Sequence, residues 1–450
     1  MIISKRLGPK KPIKPVNPSS SAVTRLAIKI VLGYTAIYYA GPLLLTAIFG
    51  AYIDQFLRYA PNYWYGAIMI TAVVCLLCFY IMRLDRADSK FSIPAPNFIF
   101  QAWFVASIGI IYLVAAYYFS ENFGLEYRQT GSRIGSTEGG LSIIALYLVQ
   151  SYLTVYIVLT LGFSRQYIKK NRPLVLFSCV TYLLGTFLSI NASSGVAMLA
   201  IGLIQAIRIS GYQEFLRPGE RGAKLLTAIL VAAAFLGAVF VGIGNKVGTN
   251  QTAELFLNNF RAVVDIIQYR LSYHLYSASF HTTFNFTNFQ LGWLSIDSVI
   301  TNISHRFDVL MGNPTYANDI TSVKRLNYEE ISYRFKDRTG ASPGLVAGLF
   351  FYPFGIFLIP LILYIYARLL RSIAYLVGEA PIGLIELFFL VYFAAGILDS
   401  SLDALNPLDP SFVKWVFLLL GVNWVSKQAW RNQKKNGKTD FKVSYNTISV

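Results

Sequence analysis

The sequence predicts an all-α polytopic membrane protein: about ten transmembrane helices and one long outer loop containing amphipathic helices. Three observations predict it. Of the 450 residues 55% are hydrophobic and 15% aromatic but only 14% charged, against about 25% charged in soluble domains. Tyr63 to Met82 and Leu141 to Phe163 carry no charge, and each suits a hydrocarbon core that takes roughly 20 helical residues. Basic residues also alternate in density between successive connections. A set of soluble domains, the ordinary reading of this length, is excluded on those grounds.

Residues 1–27 form a basic tail, expected to be a disordered arm near anionic lipid. The apolar run that follows is too long for a signal-peptide core and lacks a small-residue cleavage site, so it reads as the first span. Spans are predicted at 28–50, 63–82, 97–119, 141–163, 174–190, 195–208, 224–244, 345–367, 381–398 and 411–427. Seven helices thus occupy 28–244, a large loop 245–344, three more helices 345–427, and a second basic tail 428–450. The fifth and sixth spans are short and joined by Asn191-Ala192-Ser193-Ser194-Gly195, so this pair is expected to dip or kink.

The net charge of +17 raises nucleic acid as a partner, but the positions of the charges follow membrane sidedness instead. Both tails and the segments after spans two, four, six and eight hold most of the 39 Lys and Arg, with Arg368 and Arg371 assigned to the last of these. The short loops opposite hold only Arg58, Arg128, Arg133 and Lys414. Both termini are therefore expected in the cytoplasm, and no nucleic acid partner is. Cys75, Cys78 and Cys179 lie inside apolar runs, which excludes a disulfide framework or a paired CxxC zinc site.

The long loop, about Gly244 to Gly344, is rich in Asn, Thr, Tyr and Phe. Phe256, Phe260, Val264, Ile267, Leu271 and Leu275 recur every three or four residues, predicting a helix on the membrane surface. Its other face pairs Arg261 with Asp265 and Arg270 with His274 at i,i+4 spacing.

Two Arg-bearing loops run into helices. One holds Arg128 and Arg133 before span four; the other holds Arg334 and Arg338 before span eight, where Ser342-Pro343 reads as an N-cap followed by Pro at the first helical position. Helix N-termini with Arg forks make a plausible phosphate clamp; the alternative is contact with lipid headgroups or a neighbouring carboxylate. His274, His281 and His305 all fall in the long loop and are expected to be partly exposed surface imidazoles, with His274 a catalytic candidate because it shares a face with Arg270. Glu386 is the clear intramembrane acid. Asp399, at the outer end of span nine, could orient or deprotonate a sugar hydroxyl; capping and solvation are the simpler roles for such an acid. No nucleotide, zinc-protease or nucleophile-elbow motif stands in a credible context.

From about Tyr127 to Leu420 this arrangement resembles the polysaccharide repeat-unit polymerases of the O-antigen polymerase (Wzy) type. Ten residues separate Arg128 from Gly139, similar to the Arg-x10-Gly motif of such loops. Arg334, Ser342-Pro343-Gly344 and Phe354-Gly355 look like the family's ending of the long loop, with the departure that Leu345 stands eleven positions after Arg334. The resemblance implies a metal-independent membrane glycosyltransferase of the C-type superfamily, needing no cofactor, in the bacterial cytoplasmic membrane. It would transfer a growing glycan from undecaprenyl diphosphate onto an incoming lipid-linked repeat unit. Arg128, Arg133, Arg270, Arg334 and Arg338 are then expected at the diphosphate, and Asp399 and His274 at the acceptor hydroxyl. Its expected partners are the undecaprenyl-diphosphate-linked oligosaccharide, the lipid bilayer and a chain-length regulator protein. Two other readings stand beside it: an O-antigen ligase acting on lipid A core, and a lipid-linked oligosaccharide flippase or transporter.

Overall fold

The computed structural model describes residues 20–49, 61–84, 93–94, 96, 98–124, 137–161, 172–188, 237, 240, 249–311, 322–332, 342–378, 382, 384–399, 401–407 and 409–435. The structure is all-helical: 88% is helix and none is strand among the described residues. In chain order the helices are α1 (Ser20–Thr35), α2 (Gly41–Phe49), α3 (Tyr63–Arg83), α4 (Ala102–Phe119), α5 (Thr137–Leu161), α6 (Arg172–Leu188) and α7 (Thr249–Asn258). Then come α8 (Phe260–Phe284), α9 (Gln290–Leu310), α10 (Val323–Ile331), α11 (Gly344–Gly348), α12 (Ile359–Val377), α13 (Leu384–Leu398) and α14 (Pro410–Lys435).

Four helical stretches are long and apolar enough to cross a bilayer: Ser20–Ile48, Tyr63–Arg83, Ala102–Asn122 and Gly355–Val377. Shorter apolar helices run over Ala145–Leu161, Pro173–Thr186 and Glu386–Leu398. The chain is thus an α-helical membrane-embedded protein. The expected spans at 195–208 and 224–244, and the Asn191–Gly195 turn, lie outside the described residues, apart from Gly237 and Phe240.

The helices pack around one apolar core. α4 lies against α5 and α6; α14 against α5; α1 against α12 and α13; and α3 against both α12 and α8. α1 and α2 are one helix interrupted by a π-helical turn, Ala36–Ala40. Pro42 has no N–H to give the Tyr38 carbonyl and its ring would crowd it, so the ladder widens just before the proline. The Gly41 N–H instead reaches the Ala36 carbonyl, five residues back.

Three expectations are corrected. The eighth span is not a continuous helix over 345–367. α11 passes through a 3-10 turn, Leu349–Phe351, and stops at Tyr352-Pro353-Phe354-Gly355, where Phe354 takes φ 64°. The apolar helix resumes and runs to Val377. Proline at 353 and a left-handed residue after it both end a helix. Arg368 and Arg371 therefore belong to α12 rather than to a loop. The side chain of Arg371 is buried, and its guanidinium donates to the Ile81 carbonyl (2.9 Å), the Leu84 carbonyl and the Ser20 hydroxyl (3.2 Å). It thereby serves the C-terminal carbonyls of α3 that no helical N–H reaches.

The third correction concerns the surface helix. The expected 256–275 segment is divided at Asn259 between α7 and α8, and the later half of α8 is buried. α8 packs on α3, where Thr283 Oγ1 accepts from the Asn62 N–H at 3.0 Å, and on α11.

Candidate functional site

Asp399 follows the last residue of α13, its N–H closing the final turn onto the Ala395 carbonyl at 2.8 Å. His274 lies in the buried half of α8. The two meet: His274 Nε2 is 3.6 Å from Asp399 Oδ2, and the side chains are only 10% and 16% exposed. This is neither a solvated loop acid nor a surface imidazole.

Each partner is held from a second side. Asp399 Oδ1 accepts a hydrogen bond from the Tyr34 hydroxyl. The Asp399 carbonyl accepts from Ser342 Oγ at 3.0 Å. The Tyr34 hydroxyl also accepts from the Leu345 N–H (3.0 Å), and the Tyr39 hydroxyl from the Val346 N–H (3.2 Å). Two orphan donors at the start of α11 are thus satisfied by tyrosines of the interrupted first helix. Ser342 Oγ accepts from the Gly344 N–H at 3.4 Å, the contact expected of a cap, although the helix bounds place Pro343 at the N-cap position. The Tyr38 ring lies 4.8 Å from the imidazole, centroid to centroid, and Tyr39 at 6.4 Å.

His274 Nδ1 is buried and has no hydrogen-bond partner among the described residues. If Nε2–H faces the carboxylate, the neutral ring leaves its Nδ1 lone pair free to accept a proton. Burial pushes the Asp399 carboxyl above its ordinary range, opposed by His274, the Tyr34 hydrogen bond and Lys324. A second cation stands near: a Cβ on Gly396 would lie 3.3 Å from Lys414 Nζ, and Lys324 and Lys414 interact electrostatically. Chemically the arrangement is a base backed by an acid, walled by tyrosines and flanked by lysines.

Of the other site residues, Arg128, Arg133, Arg334 and Arg338 lie outside the described residues. Arg270 is one turn before His274 on α8; its side chain lies outside the description, as does that of His305. His281 is corrected from surface to core. Its Nε2–H donates to Asn327 Oδ1 and its Nδ1 accepts from Asn285 Nδ2, both at 2.9 Å; Asn327 in turn donates to Ser277 Oγ at 3.2 Å. Glu386 is buried near the start of α13. Among the described residues no group of three or more His, Cys, Asp or Glu could hold a metal ion.

Tyr34, Tyr38, Tyr39 and Lys324 are site residues that sequence reasoning missed, and Ser342 was read there only as a helix cap and part of a loop motif. The available signal was three tyrosines within six positions beside Gly41-Pro42, in the middle of an otherwise apolar span. No protein-family model, curated protein or solved structure matches the chain.

Proposed function

We propose that the protein is a membrane glycan polymerase that extends undecaprenyl-diphosphate-linked oligosaccharides, with ten spans and both termini in the cytoplasm. The observation that carries this reading is the buried His274–Asp399 pair at the Ser342–Leu345 segment that ends the long loop. In the reaction, the acceptor hydroxyl oxygen bonds to the donor's anomeric carbon and its proton passes to His274 Nδ1. The bond from that carbon to the diphosphate breaks, and the electron pair leaves on the undecaprenyl diphosphate. Asp399, 3.6 Å from Nε2, balances the imidazolium charge. Lys324, with Arg128, Arg133, Arg270, Arg334 and Arg338, would meet the charge developing on the diphosphate. The experiment is incubation of the purified protein in liposomes with a lipid-linked repeat unit. A glycan ladder is expected, and a folded protein that gives none with a unit it binds would overturn the reading.

A second reading has its own support. A buried acid–imidazole pair in a helical membrane protein is also the kind of group that relays protons during transport. A flippase would move the labelled lipid-linked oligosaccharide across the bilayer, driven by a pH gradient, without lengthening its glycan. The ligase reading uses the same base and differs in acceptor, so supplying lipid A core beside the repeat unit separates the two.

A further inference from the structure

Helix α9 is built with its polarity reversed. Its buried side holds Ser295, Ser298 and Asn302 beside Leu291, while Trp293, Leu294, Ile300, Phe307 and Met311 are exposed. At about 100° per residue Trp293, Ile300, Phe307 and Met311 form one stripe, with Leu294 about 100° round from it. Half-buried Ile296 and Ile303 widen one flank of it; exposed Asp297, Thr301 and Ser304 occupy the other. The helix therefore has three faces: polar and small toward the protein, apolar outward, and polar outward. Water on both outward faces would leave a Trp, an Ile, a Phe and a Met in contact with it, which is unfavourable for large apolar side chains.

The apolar stripe continues onto a helix long enough to span a bilayer. The Trp293 and Phe354 rings stand 5.5 Å apart edge to face, and Phe289 stacks on Phe357 at 5.9 Å. Phe354, Phe357, Leu361 and Ile365 are exposed in turn along Gly355–Val377. The contact is close: a Cβ on Gly292 would meet the Tyr352 carbonyl oxygen at 2.3 Å, so only glycine lets α9 approach the turn.

We infer that α9 is an interfacial helix seated in the bilayer, its Trp293–Met311 stripe in contact with acyl chains and its Asp297–Ser304 flank at the headgroups and water. The occupant of this surface is lipid. Continuity with the exposed face of α12 and the three-way division of the helix favour it over a second copy of the chain, which would need no polar outward flank. α9 also packs on the Leu349–Phe351 and Ser401–Leu405 turns beside the His274–Asp399 pair, so the lipid contact adjoins the candidate site. This inference holds whether the protein transfers glycans or transports them.

The test uses full-length protein in liposomes, with Cys75, Cys78 and Cys179 replaced by Ala. Single cysteines at Ile300→Cys, Phe307→Cys, Asp297→Cys and Ser304→Cys carry an environment-sensitive fluorophore. Labels at 300 and 307 should be quenched several-fold more by lipids brominated in the acyl chain than by aqueous iodide, and labels at 297 and 304 the reverse. Equal iodide quenching at all four positions would overturn the assignment. So would protection of 300 and 307 from both quenchers with energy transfer between protomers, which would make the face a contact between copies.

Discussion

Gly344 and His274 leave no room for a methyl group between them. A Cβ on Gly344 would stand 2.9 Å from His274 Cγ and 3.0 Å from the Tyr39 hydroxyl, and Gly344 takes φ +75°, where side chains are disfavoured. Backbone and imidazole therefore fix each other: the glycine that opens α11 also sets how far the ring can lean from Asp399.

Gly344→Ala should accordingly lower thermal stability by about 2–3 kcal/mol, from a left-handed backbone penalty of about 1–2 kcal/mol plus the clash. Melting of the protein in detergent measures it. The double variant with His274→Ala should recover the clash component only. Simple additivity of the two losses would show that the imidazole is not what Gly344 accommodates.

Asp399→Asn should separate stability from activity. The amide oxygen can still accept from Tyr34, and the buried negative charge that the site disfavours is gone. Melting temperature should hold or rise. Transfer should fall roughly 100-fold or more, because the neutral side chain no longer balances an imidazolium. A large drop in both would mean that the pair serves the fold.

Arg371→Met should destabilise strongly and far from the candidate site. It leaves the Ile81 and Leu84 carbonyls without the donor they share, a loss of about 3 kcal/mol. Arg371→Lys should fall between, since an ammonium lacks the fork that serves α3 and Ser20 together. Detergent melting curves of both variants decide it, and equal stability of the Lys variant would reject the fork.

His281 gives a pH dependence of known sign. Burial pushes its imidazole down to about 4 from 6.5, only partly opposed by the hydrogen bond to Asn327. The unfolded chain therefore takes up the proton first. Stability is full above about pH 6.5 and falls as the pH drops toward 4, by on the order of 3 kcal/mol in all. His281→Gln should lose that slope, so the wild-type-minus-variant stability difference should itself fall across the window as the pH drops. An unchanged slope would place the titration elsewhere.

Sequence alone located much of the helical framework, because an uncharged apolar run such as Tyr63–Met82 leaves few alternatives to a helix. The break at Tyr352–Gly355 was hidden because Pro and Gly are tolerated within membrane helices, so composition there looked continuous. In the site, Asp399 was legible as an acid at the outer end of an apolar span and His274 as an imidazole sharing a helix face with Arg270, although solvent exposure was the simpler expectation for both. Their meeting was not legible, since it depends on how α8 packs on α11. Tyr34 was further out of reach, being 365 positions from Asp399. His281 was misread because polarity alone suggested solvent, whereas Asn285 and Asn327 supply its hydrogen bonds inside the core.

The π turn at Ala36–Ala40 makes the tyrosine wall a matter of residue count as much as of residue identity. Five positions separate Tyr34 from Tyr39, and the widened turn brings both hydroxyls to the start of α11. Five steps of ordinary α-helix would turn Tyr39 about 140° away from Tyr34, so closing the turn with every residue in place would swing Tyr39 from Val346 although no tyrosine had been altered. Removing one residue, Ile37 for example, leaves four α-helical steps, about 40° apart in direction, and keeps both tyrosines on one side. The wide turn is therefore a one-residue insertion that the rest of the helix does not feel.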